Sequence, residues 1–150
     1  MEIQILSLGK FKSSVPFRDI FNFYKNRISL YLNLVELKTF DIEKSRKLKL
    51  EKDEIVKYIR KDDCVVTLDK TGKNISSEEF SKFLGLNMKN RVKRVCFIIG
   101  SEIGIDDSLK KGENIFSFGK QTWPHLLVRI MLIEQIYRSL EILKGTSYHK

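Results

Sequence analysis

Apolar residues recur along the chain in two alternating patterns, short runs at strand spacing and longer stretches at helical spacing. Glu2 to Leu8 alternates in places and stops at Gly9, which predicts a first strand. Phe17, Ile20, Phe21, Tyr24 and Ile28 then recur at helical intervals and predict a helix from Phe17 to Tyr31. Leu32 to Phe40 reads as a second strand through Leu34, Val35 and Leu37. The charged stretch from Asp41 to Lys61 holds a helix around Ile55, Tyr58 and Ile59, with its first part expected to be mobile. Cys64 to Leu68 is a continuous, β-branched apolar run, the pattern of a strand buried on both faces. Asp69-Lys70-Thr71-Gly72-Lys73 closes it and predicts a loop.

Ser76-Ser77-Glu78-Glu79 has capping-box spacing: Ser76 can accept from the Glu79 backbone N–H while the Glu79 side chain reaches back. A helix through Phe80, Phe83 and Leu84 follows. Val92 to Ile99 is the strongest strand signal, is expected to be central, and ends at Gly100. Gly100 to Gly104 predicts a turn, Asp106 to Lys111 a short helix, and Ile115 to Phe118 a short strand before Gly119. The last helix starts at Pro124, a residue favoured at the first helical position, and runs to about Leu143 before the stop at Lys144-Gly145. Strands alternating with helices define the α/β class, with a mostly parallel sheet and helices on both faces. Leu126, Leu127, Val128, Ile130, Met131, Leu132 and Ile133 make the last helix apolar nearly all round, interrupted by Arg129. Such a helix must be covered on every side, either by a second subunit or by its own chain. Arg129, Glu134 and Arg138 cut a stretch that would otherwise approach a membrane span, so no membrane partner is expected.

At 150 residues and 42% hydrophobic content, the chain fits one domain over 1–150 with a single core. A net charge of +9 attracts polyanions, which puts nucleic acid first among partners, with a solvated basic face as the alternative. The start, Met1 to Leu6, has no basic region and too short an apolar stretch for an export signal. Cys64 and Cys96 stand singly in apolar runs and read as buried reduced thiols, which suits the cytoplasm. With only His125 and His149 and no His or Cys cluster, no metal is expected. There is no GxxxxGK[ST], and Gly100 to Gly104 is a GxxxG rather than a dinucleotide GxGxxG, so kinase and dehydrogenase readings fall away.

Three loops remain, after Leu68, Gly100 and Phe118, at the strand ends where open α/β sheets bind ligands. Gly100, Gly104 and Gly119 either let main-chain groups approach a ligand closely or serve as ordinary turn residues. His125 and Arg129, four apart on one helical face, could hold a phosphate; alternatively His125 caps the helix and Arg129 pairs with a buried carboxylate. Tyr148-His149-Lys150 places an aromatic, an imidazole and a cation in a segment of the kind that is usually disordered.

Across the whole chain the residues resemble the ribosomal RNA large subunit methyltransferase H family of the SPOUT class. The likeness runs from Ile3-Gln4-Ile5 through Val66-Thr67-Leu68-Asp69 and Phe97-Ile98-Ile99-Gly100. Its most specific part is Ser117-Phe118, Thr122, Pro124-His125, Val128-Arg129, Glu134-Gln135-Ile136-Tyr137-Arg138 and Tyr148-His149-Lys150, in order and spacing. One departure stands out: Ser101 occupies the second glycine of the GGxxG-like loop usual in that family, and Glu102 follows it.

The resemblance implies a C-terminal trefoil knot. It also implies a site for S-adenosylmethionine built from Leu68, Gly100 and the segment Phe118, Gly119, Lys120, Gln121, Thr122 and Trp123. The implied reaction is methylation at N3 of a pseudouridine in large-subunit (23S) ribosomal RNA within assembled ribosomes, by a homodimer. In that scheme His149 or Tyr148 lies near the target base, Arg129 and Lys150 bind RNA phosphate, and His125 borders the RNA or only shapes the helix start. Lys89, Arg91, Lys93 and Arg94 are further candidates for an RNA surface, or a solvated loop. Two other readings stay open: a SPOUT enzyme acting on transfer RNA, and a ribosome-binding protein without catalysis.

Overall fold

Five strands, β1 (Glu2–Leu8), β2 (Leu32–Leu37), β3 (Cys64–Asn74), β4 (Arg94–Ile99) and β5 (Ile115–Ser117), form one sheet in the order β2-β1-β4-β3-β5. All four pairings are parallel. These features come from a computed structural model, which describes residues 1–12 and 15–150. Three helices connect strands, α1 (Val15–Lys25), α2 (Lys44–Val56) and α3 (Ser77–Lys89), and α4 (His125–Lys144) follows the last strand.

The period-2 alternation of β1 and β4 divides the core between the two sheet faces. Ile3, Ile5, Val95, Phe97 and Ile99 point to one face, where they meet Phe21 of α1, Phe80 and Leu84 of α3, and Leu132, Ile133 and Ile136 of α4. Leu6, Leu8, Cys96 and Ile98 point to the other, where they meet Ile55 of α2 and Ile105. Helices therefore lie on both faces, three on one and one on the other. β4 is the middle strand and all six of its residues are buried, as its run of apolar residues requires.

The boundaries differ from the sequence pattern where polar atoms, not apolar spacing, decide them. α1 ends at Lys25, and Ile28 is buried from the turn that follows rather than from a helix. The expected mobile start of the charged stretch is helical. Glu43 caps it by accepting from the backbone N–H groups of Ser45 and Arg46 at 2.9 and 3.2 Å. α2 buries Lys47, Glu51 and Ile55 at four-residue spacing and ends before Tyr58 and Ile59. A stripe that is two-thirds charged escapes any count of apolar residues.

The loop expected at 69–73 is instead part of β3, which pairs with β5 on both sides of a register shift between Leu68 and Lys73. Gly72 passes so close to β5 that a Cβ there would lie 2.5 Å from the Ile115 carbonyl oxygen, a position only glycine can occupy. α4 begins one residue later than expected, with Pro124 as its cap residue, and stops at Gly145 in the left-handed conformation. Packed between the sheet, α1 and α3, α4 buries Leu132, Ile133, Ile136 and Leu140 and leaves Leu127, Ile130 and Met131 half-buried. Its own chain thus covers most of its circumference. Cys64 and Cys96 are both free, and burial pushes the Cys96 thiol up to about 12, which keeps it protonated and inert.

The capping box forms as its spacing requires: the Ser76 hydroxyl accepts from the Glu79 N–H at 3.2 Å, and the Glu79 carboxylate accepts from the Ser76 N–H at 2.9 Å. Ser76→Ala is expected to lower stability by about 1 kcal/mol, read as a lower urea midpoint with unchanged slope.

Candidate active site

The part of β3 around Leu68, the loops after Ile99 and Ser117, and the first turn of α4 enclose a cavity of about 570 Å³ at the carboxyl edge of the sheet. Its volume falls in the range of roughly 300–1,000 Å³ usual for small-molecule sites. Leu68, Gly100, Phe118, Gly119, Gln121, Thr122, Trp123 and His125 all line it. Lys120 is exposed and does not.

Main-chain geometry shapes the walls. A Cβ at Gly100 would stand 2.6 Å from the Gly104 carbonyl oxygen, because the 100–104 turn folds back on itself through a Gly104 N–H to Ser101 carbonyl bond of 3.0 Å. Gly104 and Gly119 have φ of +92° and +107°, conformations that favour glycine. The 118–123 segment closes on itself, with the Trp123 indole N–H donating to the Phe118 carbonyl at 3.2 Å and the Ser117 hydroxyl to the Gly119 carbonyl at 2.7 Å. Ile99, Ile105, Phe116 and Val128 supply the apolar floor.

Two carboxylates border this floor. Burial pushes Asp69 up, but hydrogen bonds from Thr71 and Lys110 outweigh it and hold the carboxyl below its ordinary value. A bond from Lys47 does the same for Glu102. Both stay ionised near neutral pH, which favours a cationic ligand group at this edge. Burial and the neighbouring Arg129 charge push His125 down, so its imidazole is neutral there. His125 makes no side-chain cap of α4; it lines the cavity and stands beside Gly9.

Arg129 differs from the expectation of a phosphate contact. Its side chain is fully buried, with Nε donating to the Ser7 hydroxyl at 2.6 Å and Nη1 to Glu36 at 2.9 Å. Nη2 donates to the carbonyls of Leu8 and Gly9 at 3.0 and 2.7 Å, and the guanidinium lies 4.8 Å from the Phe11 ring centroid. The alternative reading, a buried arginine–carboxylate pair, is the one found. Ser7 and Glu36 carry no distinct signal in the sequence, because β1 also contains Gln4 and β2 also contains Asn33.

Tyr148 and His149 are folded back on α3 and α4, while Lys150 is exposed. The Tyr148 ring packs edge-on to Tyr137 at 4.8 Å, its hydroxyl donates to Glu134 at 3.2 Å, and Arg138 lies over the ring at 4.9 Å. His149 sits between Arg138 at 3.3 Å and Glu78 at 2.9 Å. Burial pushes the Tyr148 phenol up, so it carries its proton at neutral pH. None of these three residues, nor Arg129, lines the cavity of its own chain. Lys89, Arg91, Lys93 and Arg94 lie toward the opposite end of the sheet, at the start of β4. Arg94 is buried there against Asp63 at 2.6 Å, so it serves packing rather than a surface.

A parallel sheet with a glycine-shaped cavity at its carboxyl edge defines an α/β protein whose strand-end loops are built to the dimensions of a small-molecule site. The family described as "Predicted SPOUT methyltransferase" matches residues 1–149, and the chain belongs to it and is by that membership a methyltransferase. Over 160 residues it is 40% identical to a ribosomal RNA large subunit methyltransferase H from Clostridium kluyveri, covering 100% of both chains. Over 157 residues it is 38% identical to the protein of that name from Caldicellulosiruptor bescii, covering 99% of each. The solved structure of a probable methylase family protein from Haemophilus influenzae Rd KW20 shares the fold, with a TM-score of 0.53 and 15% identity over 99% of this chain and 70% of that one. Among the described residues, no group of three or more His, Cys, Asp or Glu side chains is placed to hold a metal, and no helix is long and apolar enough to cross a membrane.

Two outcomes follow from the buried groups. Arg129→Met leaves Glu36, Ser7 and two carbonyls without their donor and is expected to cost about 3–5 kcal/mol, measured by urea unfolding. Because the folded-state value of His125 lies below its unfolded value, its contribution is fully present above about pH 6.5 and declines as pH falls through that value. His125→Gln is expected to flatten that part of the stability–pH profile.

Proposed function

We propose that the protein transfers a methyl group from S-adenosylmethionine to N3 of a pseudouridine in large-subunit ribosomal RNA of assembled ribosomes, acting as a cytoplasmic homodimer. The observation that carries the reading is the Gly100–Gly104 and Phe118–Trp123 pair of loops closing around one cavity. A nucleoside with an amino-acid arm fits a pocket with an apolar floor, exposed main-chain groups and two ionised carboxylates at the rim. When bound, that donor supplies an already activated methyl electrophile.

The chain's own residues have to hold, orient and exclude water. Leu68, Gly100, Phe118, Gly119, Gln121, Thr122 and Trp123 form the cofactor wall, and neutral His125 adds no positive charge beside a sulfonium. Arg129 is a positioning residue: it fixes the first turns of α4, on which the wall rests, and does not reach RNA. The region from β4 through α4 is assigned the trefoil knot of the class.

The dimer reading has support in a second, apolar groove between α1, α3 and α4. It exposes Ile20 and is lined by Tyr24, Ile75, Ile130 and Met131. Phe118 borders both the cavity and this groove, and Glu134, which holds Tyr148, borders the groove as well. A second copy seated there would bring its Tyr148, His149 and Lys150 toward a cavity that lacks them. His149 and Tyr148 would then flank the target base, with Lys150 on phosphate. Alignment of N3 with the donor methyl supplies most of the rate, and nearby cations lower the imide pKa so that water can take the proton.

The test is incubation of purified protein with labelled S-adenosylmethionine and ribosomes from a strain lacking the enzyme, followed by nucleoside mass spectrometry. Label at a 23S pseudouridine is expected, and label in transfer RNA or nowhere would overturn the reading. His149→Ala is expected to lower turnover by about 100-fold, the order of loss when reacting groups are misaligned, while leaving donor affinity nearly intact.

A further inference from the structure

On the sheet face opposite Arg129, α2 turns charge inward. Lys47 and Glu51, one helical turn apart, are 7% and 1% exposed. Glu51 has a partner on each oxygen: the Thr39 hydroxyl donates to Oε1 and the Ser101 hydroxyl to Oε2 at 2.8 Å. Lys47 lies 3.9 Å from Glu51 and forms its own short ion pair with Glu102. Two adjacent residues of the 100–104 turn are thus each gripped from beneath by one member of a buried ion pair.

A buried carboxylate and ammonium are costly to leave unpaired, so the pair commits its neighbours to one arrangement. Here the neighbours are the residues that follow Gly100. The turn has no slack to absorb a shift, since a mere Cβ at Gly100 would collide with Gly104 and Ile105. Ser101, the position at which the chain departs from a second glycine, carries the hydroxyl that reaches Glu51. The departure supplies an anchor.

We propose that Lys47 and Glu51 are positioning residues for methyl-donor binding, acting through Ser101 and Glu102 to set the main-chain wall of the cavity. This rests on the reading of that cavity as the donor site. The two residues touch no reacting atom. Their effect falls on donor affinity, because the wall they hold contacts the donor and not the RNA.

The experiment titrates S-adenosylmethionine into the full chain and into Glu51→Gln, Ser101→Ala, the double variant and Ile55→Val, with donor KM and kcat measured on ribosomes. Ile55 lies on the same α2 face, packs in the core and has no polar side-chain atom to join the network. Each polar variant is expected to weaken donor binding about ten-fold, the loss typical when a partner that orients a binding group is removed. Donor KM is expected to rise by more than kcat falls, and the double variant to bind about as weakly as either single one, because both act on the one Ser101–Glu51 bond, Ser101→Ala by deleting its donor and Glu51→Gln by removing the charge that strengthens it. Ile55→Val should lose stability and keep its donor affinity.

Polar variants that bind within two-fold of the unmodified chain, or single losses that simply multiply in the double variant, would overturn the inference and leave the donor reading standing. No binding by the unmodified chain would overturn both. If Glu51→Gln fails to fold, Ser101→Ala carries the test alone, since it removes one loop hydroxyl and leaves Glu51 with Thr39 and Lys47.

Discussion

The buried guanidinium of Arg129 is the contact on which the rest of the arrangement depends. Four of its N–H donors are engaged by Ser7, Glu36 and the carbonyls of Leu8 and Gly9, so one side chain of α4 holds the ends of β1 and β2 together. A planar donor set can do this where a lysine cannot, because the acceptors lie in different directions at fixed distances. The same carboxylate also accepts from the Phe11 N–H at 2.5 Å, which carries the constraint into the segment after β1. The first turn of α4, with His125 on the cavity wall, is therefore fixed to the sheet by hydrogen bonds as well as by packing.

Around that anchor the site is made from places where the chain has no freedom. Parallel strands end together at one edge, so the turns that follow them converge without long connections. Gly100 and Gly72 are required by close backbone approach, and the 118–123 segment is closed by its own tryptophan. The two carboxylates at the cavity rim are each held in place by a lysine, Asp69 by Lys110 and Glu102 by Lys47. Main-chain groups are left to face the ligand. Such a wall is insensitive to many side-chain changes, which suits a family that keeps its chemistry at 35–40% identity.

How much of this was legible in the sequence follows from which forces set each element. Strands β1 and β4 and helix α3 are set by apolar periodicity and a local capping box, and both signals lie within a few residues of where they act. The loops after Ile99 and Ser117 and their glycines were legible for the same reason. α2 was misplaced because its buried stripe is Lys47, Glu51 and Ile55, and a buried charge announces itself only through partners distant in the chain. β3 was cut short because Asp69 to Lys73 has turn composition, while its pairing to β5 is fixed by register across the sheet. Arg129 was recognised as special, but spacing alone could not tell a phosphate from Glu36, which lies 93 residues earlier. The direction in which His149 and Tyr148 point was beyond reach altogether, since it depends on Glu78 and Glu134.

The topology also has a temporal consequence. β1 is made first, yet it must wait for β4 to fill its second edge and for Arg129, some 120 residues later, to lock its end. A chain emerging from a ribosome therefore carries a half-paired strand through most of its synthesis, and the contacts that complete it are among the last to arrive. High contact order of this kind slows folding and lengthens the exposure of unpaired edges to other chains. A chain truncated ahead of α4 would lack the side chain that fastens the end of β1, so in this architecture the final helix secures the opening strand.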